Sequence, residues 1–166
     1  MDEQRRLAAL RSLDILDQPD DPDFDAIVRD AARAFAVPIA LVSLVDEHRQ
    51  WFRAKVGLEV SETPLASSFC THAIRAGVEV FEVENATADP LFKNNPLVTG
   101  DPNIRFYAGA PLKTSTGARI GTLCVIDRKP RGKLRDDQRQ QLIALADRVM
   151  ALLEERRRRL ADADPA

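Results

Sequence analysis

A thiol and an imidazole stand two residues apart at Cys70 and His72. Such groups can bind a metal ion or act as a nucleophile and its base, but positions i and i+2 of a helix do not face each other. Zinc needs three or four ligands, and the remaining histidine and cysteine, His48 and Cys124, lie far away in sequence. The alternative is that Cys70 packs as a small apolar group while His72 hydrogen-bonds beside a pocket. We therefore expect no metal site.

The second cysteine, Cys124, lies within an apolar run, and we expect it to be core packing because free cysteine is among the most buried residue types. A redox pair of Cys70 and Cys124 requires the short helix that carries Cys70 to lie directly over the strand that carries Cys124. A structural disulfide is not expected in a reducing compartment.

A long polar stretch between residues 85 and 103, interrupted by prolines and glycine, provides a second group of candidates. A loop of this length in a compact domain is usually functional, although Asn and Asp also stabilise turns through local backbone bonds. Arg105 follows it and could bind a carboxylate or phosphate, or pair with Asp101. We predict a small-molecule pocket that these segments share, with the contact residues Phe69, Cys70, His72, Asn95, Arg105, Phe106 and Tyr107.

Composition excludes several classes of function. A chain of 166 residues suits one domain with a full core, and a net charge of −2 favours neither nucleic acid nor an anionic membrane as partner. Two cysteines are too few for a disulfide scaffold. The charged start does not resemble a signal peptide, and the longest apolar run, residues 35–45, is too short to span a bilayer. We expect a cytoplasmic protein.

The strongest structural pattern lies between Ile104 and Asp127, where two stretches of alternating apolar residues flank a polar turn that contains Gly117. This pattern predicts a β-hairpin. Its second strand is apolar on both faces, since Leu123 and Val125 are apolar too, and such strands are usually covered on both sides. The hairpin is therefore expected at the centre of a sheet between two layers.

The rest of the chain predicts the order helix, helix, strand, strand, short helix, strand, long loop, strand, strand, long helix. Apolar spacing extends the first helix from Leu7 to about Leu16, and Asp21 is expected to cap a second helix that begins at Pro22. The strand near Phe52 is expected to be half exposed or at an edge, because apolar and polar residues alternate there. The first, second and last helices can cover one sheet face, and the short helix and long loop the other.

The final helix, residues 136–162, carries apolar residues at alternating spacings of three and four. This stripe is longer than a domain of this size needs to cover its sheet. We expect its surplus to pair with a second subunit in a homodimer, through the residues Leu142, Leu145, Val149 and Leu152. The alternative is a helix that packs only on its own sheet.

Six blocks occur in a distinctive order along the chain: PIALVSLVD, RQWFRAKVGL, SSFCTHAI, DPLFKNNPLVTG, IRFYAGAPL and IGTLCVID. In this order they resemble the bacterial GAF domain family, from about Leu13 to Val149. The resemblance implies an α+β fold with α/β/α layers: a central antiparallel sheet of five to six strands, with the terminal helices on one face and the short helix plus the long loop on the other. It implies one domain over residues 1–166, with an N-terminal helix and linker at 1–20.

The resemblance also implies a sensory or regulatory role. Relatives bind small molecules or nothing known, many dimerise through terminal helices, and some precede histidine kinases or diguanylate cyclases. Bilin-binding relatives have Cys followed directly by His, whereas Thr71 separates Cys70 from His72 here, so we expect no covalent bilin. Relatives that reduce free methionine sulfoxide carry three clustered cysteines, whereas this chain has two, so we do not expect that activity. The resemblance leaves the cofactor unknown.

Three hypotheses follow. The first is a non-enzymatic sensory domain that binds a small molecule, dimerises and signals to a partner such as a histidine kinase or diguanylate cyclase. The second is a thiol-based redox enzyme or redox sensor that uses Cys70, with Cys124 as the resolving thiol. The third is a purely structural dimer module whose pocket is filled by its own side chains.

Overall fold

The computed structural model describes residues 2–163. Its helices are α1 (Glu3–Ser12), α2 (Pro22–Phe35), α3 (Phe69–Arg75), α4 (Pro96–Thr99) and α5 (Asp136–Ala163). Its strands are β1 (Ile39–Val45), β2 (Arg49–Val56), β3 (Glu62–Pro64), β4 (Phe81–Val83), β5 (Phe106–Lys113) and β6 (Arg119–Asp127).

The strands form one six-stranded sheet in the order β3-β2-β1-β6-β5-β4, and every neighbouring pair is antiparallel. The predicted hairpin is confirmed as β5 and β6. Strand β6 pairs with β1 on one side and β5 on the other, so it lies in the interior of the sheet. This agrees with its apolar residues on both faces.

Two cores cover the two faces of the sheet. On one face, α2 and α5 pack over residues such as Phe106 and Ala108, and Leu10 of α1 joins them. On the other face, α3 and the loop that carries Phe92 pack over residues such as Tyr107. Successive strand residues point to opposite faces, so each strand contributes to both cores. The predicted layers and fold class are confirmed.

The first helix is shorter than its apolar spacing predicts. It ends at Ser12, and Asp14 and Asp17 adopt positive φ angles of 57° and 61°. Leu13 and Ile15 are still buried, but as part of the turn that leads to α2. Helical spacing of apolar residues can therefore arise where an irregular segment also faces the core.

The prediction that β2 is half exposed or at an edge is wrong. The short strand β3, within a segment expected to be a loop, pairs along its outer side. Arg53 of β2 is only 6% exposed, because its guanidinium lies 4.9 Å from the centre of the Phe24 ring and donates to the Pro19 carbonyl at 2.9 Å. An aromatic face attracts a cation and offsets part of the cost of burying it, so a polar residue here does not mark an exposed face.

The end of α5 is tied to the start of α2. Asp21 caps α2, as predicted, by accepting a hydrogen bond from Asp23 N. Arg156 of α5 donates from Nε to the same Asp21 carboxylate at 2.8 Å. This hydrogen bond lowers the pKa of Asp21 below its ordinary value, against the opposing effect of partial burial.

Three of the four residues predicted to form a dimer seam are buried in their own chain. Leu142 and Val149 are fully buried and Leu145 is 8% exposed, all in the core between α5 and the sheet. They are therefore not available to a second subunit, and the prediction is wrong for them. Leu152 is only partly buried, and Leu160, two turns later, is 42% exposed.

Candidate ligand-binding site

A cavity of about 630 Å³ lies between the sheet and the covers on its α3 side. We call it the sheet cavity. Its lining residues are Leu41, Gln50, Phe52, Gly57, Leu58, Glu59, Val60, Glu62, Thr63, Pro64, Phe69, Cys70, Leu97, Asp101, Pro102, Ile104, Tyr107, Cys124, Ile126 and Arg128. Its volume falls in the range typical of small-molecule sites. The hypothesis of a pocket filled by side chains does not agree with this volume.

Stacked aromatic rings hold α3 against the long loop at one wall of the cavity. The ring of Phe69 stacks on that of Phe92 at 4.1 Å between centres, with 9° between their planes. Phe69 also lies 5.3 Å from the ring of Tyr107. All three rings are at most 2% exposed. Such pairs add about 0.5–1.5 kcal/mol each beyond the area they bury, so this wall is well anchored.

Three buried polar groups meet at the floor of the cavity. The Cys70 thiol lies 2.9 Å from the Thr122 hydroxyl and 3.3 Å from the Tyr107 hydroxyl, and the two hydroxyls are 3.2 Å apart. We call these three residues the polar cluster. Cys70 lies in the first turn of α3, and the other two lie on neighbouring strands β5 and β6. Each group can both donate and accept, so the cluster can satisfy itself within an otherwise apolar core.

The polar cluster favours one negative charge on Cys70. Complete burial acts to raise the pKa of its thiol, but stabilisation of the thiolate by the neighbouring Cys124 and Ser43 and by the hydrogen-bonded hydroxyls of Thr122 and Tyr107 outweighs burial and lowers the pKa to about 7. Burial raises the pKa of Cys124 and that of Tyr107 well above their ordinary values, and a charge on Cys70 raises both further. The first proton to leave this cluster therefore comes from Cys70.

A second polar chain connects the cavity to α3. The Gln50 amide donates to the Thr63 hydroxyl at 2.9 Å and accepts from the Ser68 hydroxyl at 2.8 Å. Ser68 caps α3 by accepting from the backbone N–H of Thr71. A ligand that contacts Gln50 would therefore affect the hydrogen bonds at the start of α3, the helix that carries Cys70.

Phe69, Cys70 and Tyr107 line the sheet cavity, but the other predicted contact residues do not. His72 is exposed, and its ring lies edge-on to Phe92 at 5.1 Å. Phe106 faces the helices α2 and α5, so its prediction as a pocket residue is wrong. Adjacent strand residues point to opposite faces, and Tyr107 occupies the cavity side.

Asn95 and Arg105 hold the long loop in place instead of lining the cavity. Asn95 caps α4 by accepting from Leu97 N at 2.9 Å, and its amide donates to the Ser67 carbonyl at 3.2 Å. The Arg105 guanidinium donates to the Val98 carbonyl at 2.8 Å and to the carbonyl of its own neighbour Ile104. Both side chains therefore stabilise the cover over the cavity.

Sequence reasoning missed Gln50, Thr63 and Thr122, and it expected Cys124 to be core packing, with a resolving thiol as the alternative. Gln50 and Thr63 meet only because β3 pairs with β2. Thr122 lies on β6 two residues before Cys124, so both side chains point to the same face of the sheet. This shared face was the sequence signal that could have identified Thr122. A redox pair of Cys70 and Cys124 requires the helix that carries Cys70 to lie over the strand that carries Cys124. This condition is met, because α3 packs directly on β6 and both cysteines line the cavity.

Among residues 2–163, no group of three or more His, Cys, Asp and Glu side chains is arranged to hold a metal ion. In the same described part of the chain, no helix combines the length and apolarity that crossing a bilayer requires.

Comparison with known proteins agrees with this fold. The GAF domain family model matches residues 22–153. The chain is 49% identical over 150 residues to the cyclic di-GMP phosphodiesterase PA2567 of Pseudomonas aeruginosa, an alignment that covers 90% of this chain and 25% of that protein. The chain thus spans about a quarter of the length of this curated relative.

Solved GAF domains have the same architecture. The GAF domain of a phosphoenolpyruvate-protein phosphotransferase from Coxiella burnetii superposes with a TM-score of 0.68 at 14% identity, covering 97% of this chain and 99% of that one. The corresponding domain from Acinetobacter gives a TM-score of 0.67 at 20% identity, covering 98% and 97%. Together with the family match, these findings show that the chain belongs to the GAF domain family.

Proposed function

We propose that this GAF domain is a sensory domain that binds a small molecule in the sheet cavity. One observation carries the proposal: a cavity of about 630 Å³ lies between the sheet and a firmly anchored cover, lined by apolar and aromatic side chains, a few buried polar groups and some exposed charged side chains. Apolar walls with a small number of placed polar groups are typical of small-molecule sites.

The lining indicates the kind of ligand. Phe69 and Tyr107 offer aromatic surface, and Gln50 and Thr63 offer hydrogen-bonding groups. A partly apolar, planar molecule with at least one hydrogen-bonding group complements this arrangement.

Strand β5 supplies a route from the cavity to the helices. A ligand that contacts Tyr107 and shifts the backbone of β5 also shifts the neighbouring residues Phe106 and Ala108, which pack in the core beneath α2 and α5. The ligand shifts the population of helix arrangements to the extent that it binds one arrangement more tightly. The signal is therefore expected to emerge through α5.

We propose that α5 acts on an output domain or partner of a bacterial signalling system, such as a phosphodiesterase, a diguanylate cyclase or a histidine kinase. The P. aeruginosa relative is named as a cyclic di-GMP phosphodiesterase, and three quarters of its length lies outside the alignment. Homodimerisation belongs to the same proposal. It would use the exposed end of α5 around Leu160 rather than the buried residues first predicted.

Thermal unfolding in the presence of a metabolite library tests ligand binding. A ligand at one hundred times its Kd stabilises by about 2.7 kcal/mol, which raises the Tm of a domain of this size by roughly 5–10 °C. Leu58→Trp enlarges a lining side chain and should remove the shift. Leu91→Trp is the matched control, because Leu91 is 64% exposed and outside the cavity. A shift that survives in Leu58→Trp, with native circular dichroism, would place binding elsewhere.

The lowered pKa of Cys70 and its proximity to Cys124 favour a second candidate function, a thiol-based peroxide sensor. The Cys70 thiolate would attack one oxygen of hydrogen peroxide, which breaks the O–O bond, forms a sulfenic acid and releases hydroxide. The Cys124 thiol would then attack that sulfur, forming the disulfide and releasing water. Thiol titration before and after peroxide should show the loss of two thiols in the native protein. Cys70→Ser should block the oxidation of Cys124, and an unreactive Cys70 would exclude this function.

A further inference from the structure

A second cavity, of about 520 Å³, lies between α1, α3, the end of β1 and the turn between β5 and β6. We call it the basic cleft. Its lining residues are Glu3, Arg6, Val45, Leu65, Thr71, Ile74, Arg75, Lys113, Gly117 and Arg119. None of them lines the sheet cavity, so this cleft is independent of the function proposed above.

Positive charge dominates the basic cleft. Four of its side chains are cationic, and its single carboxylate, Glu3, is already bound by Arg6. Within residues 2–163, neither Arg75, Lys113 nor Arg119 forms an ion pair. Four cationic side chains thus converge on one concave surface, and Glu3 is the single carboxylate among its lining residues.

Two buried polar atoms that lack partners belong to residues lining the same cleft. Arg6 is only 7% exposed and donates from Nε and Nη2 to Glu3 at 2.9 and 2.7 Å, but its Nη1 is buried without a partner among residues 2–163. Thr71 is 8% exposed, and its hydroxyl is also buried without a partner in the described part of the chain. An unsatisfied buried donor costs about 1–3 kcal/mol. Such atoms in a concave site indicate a ligand that accepts their hydrogen bonds.

We propose that the basic cleft binds a small anion that carries a phosphate group. Arginine forks and lysine are the side chains best suited to phosphate oxygens, and Arg6 Nη1 and the Thr71 hydroxyl are two further donors on lining residues. The apolar side of the cleft, formed by Val45, Leu65 and Ile74, can pack against an attached sugar or base. Binding would join α1 to α3 and to the β5–β6 turn.

Isothermal titration calorimetry at constant ionic strength tests the proposal with three probes: inorganic pyrophosphate, ribose 5-phosphate and guanosine monophosphate. The native protein should bind at least one of them. The probe that binds most tightly identifies the source of the phosphate as inorganic, sugar or nucleotide. The proposal is overturned when none of the three binds.

Three variants test the location of binding. Arg119→Gln should weaken the probe at least tenfold, since it removes charge-assisted hydrogen bonds. Thr71→Val should weaken it severalfold without loss of stability, because the native hydroxyl has no partner to lose. Arg33→Gln is the control, since Arg33 is exposed on α2 away from the cleft and the charge removed is the same. Equal weakening by Arg33→Gln and Arg119→Gln would show screening by net charge only and would overturn the proposal.

Discussion

Gly109 lies on β5 directly beneath the side chain of Tyr107. A Cβ atom at position 109 would stand 2.5 Å from the Tyr107 hydroxyl oxygen and 2.9 Å from two of its ring carbons. These atoms belong to the far part of a side chain that borders a cavity, so the ring can move while the strand stays in place. Gly109→Ala should therefore displace Tyr107 into the sheet cavity without unfolding the domain.

The loss of stability caused by Gly109→Ala can be calculated from the contacts that the Tyr107 ring loses. The displaced hydroxyl loses its hydrogen bonds to Cys70 and Thr122, each worth about 0.5–1.5 kcal/mol. Overpacking a core typically costs about 1–3 kcal/mol more. We expect Gly109→Ala to lower the free energy of unfolding by roughly 2–6 kcal/mol, and to abolish ligand-induced stabilisation because the ring occupies the cavity.

Urea unfolding of a double-mutant cycle with Tyr107→Ala measures this coupling. In the Tyr107→Ala background, Gly109→Ala should cost less than about 1 kcal/mol, since the obstructing ring is absent. Gly132→Ala is the control, because no atom lies within 4 Å of its added Cβ, and it should change stability by at most about 0.5 kcal/mol. Equal costs of Gly109→Ala in both backgrounds would refute the proposed contact with Tyr107.

Three further predictions concern packing, titration and the α2–α5 contact. Gly121→Ala should destabilise by more than about 4 kcal/mol in urea unfolding, because its Cβ would overlap the backbone carbonyl of Ser43; a near-native urea midpoint would contradict this close approach. Alkylation of Cys70 by iodoacetamide should rise with a midpoint near pH 7, since the folded protein lowers this pKa to about 7; a midpoint near 9 would contradict it. Arg156→Gln should reduce the free energy of unfolding at pH 7 by about 1 kcal/mol or more. The lowered pKa of Asp21 stabilises the folded protein above pH 3.8, and protonation of Asp21 removes this stability at lower pH. The difference between the native protein and Arg156→Gln should therefore fade below pH 3.8. A difference that persists unchanged at pH 2 would exclude the pair with Asp21 as its source.

The fold could be predicted from the sequence because its main signals are local. The alternation between Ile104 and Asp127 defined the hairpin, and the apolar residues on both faces of β6 placed it inside the sheet. The end of α1 could not be predicted, because the buried turn around Leu13 mimics helical spacing. The three-residue strand β3 has too little pattern to distinguish it from a loop.

The candidate site was predicted only in part. Alternation shows that Phe106 and Tyr107 must point to opposite faces, but both faces of β5 are buried, so the pattern does not say which one borders a cavity. Gln50 and Thr63 resemble ordinary strand residues until tertiary pairing brings them together. Arg105 has the chemistry of an anion ligand, but nearby carbonyls of its own loop already accept its hydrogen bonds.

Native mass spectrometry after incubation with a bacterial metabolite extract tests most directly whether the sheet cavity holds a small molecule. The native protein and Leu91→Trp should each retain one molecule of the same mass per chain, and Leu58→Trp should appear at its bare mass. Bare masses for all three proteins, or the same adduct on Leu58→Trp as on the native chain, would contradict ligand binding in this cavity.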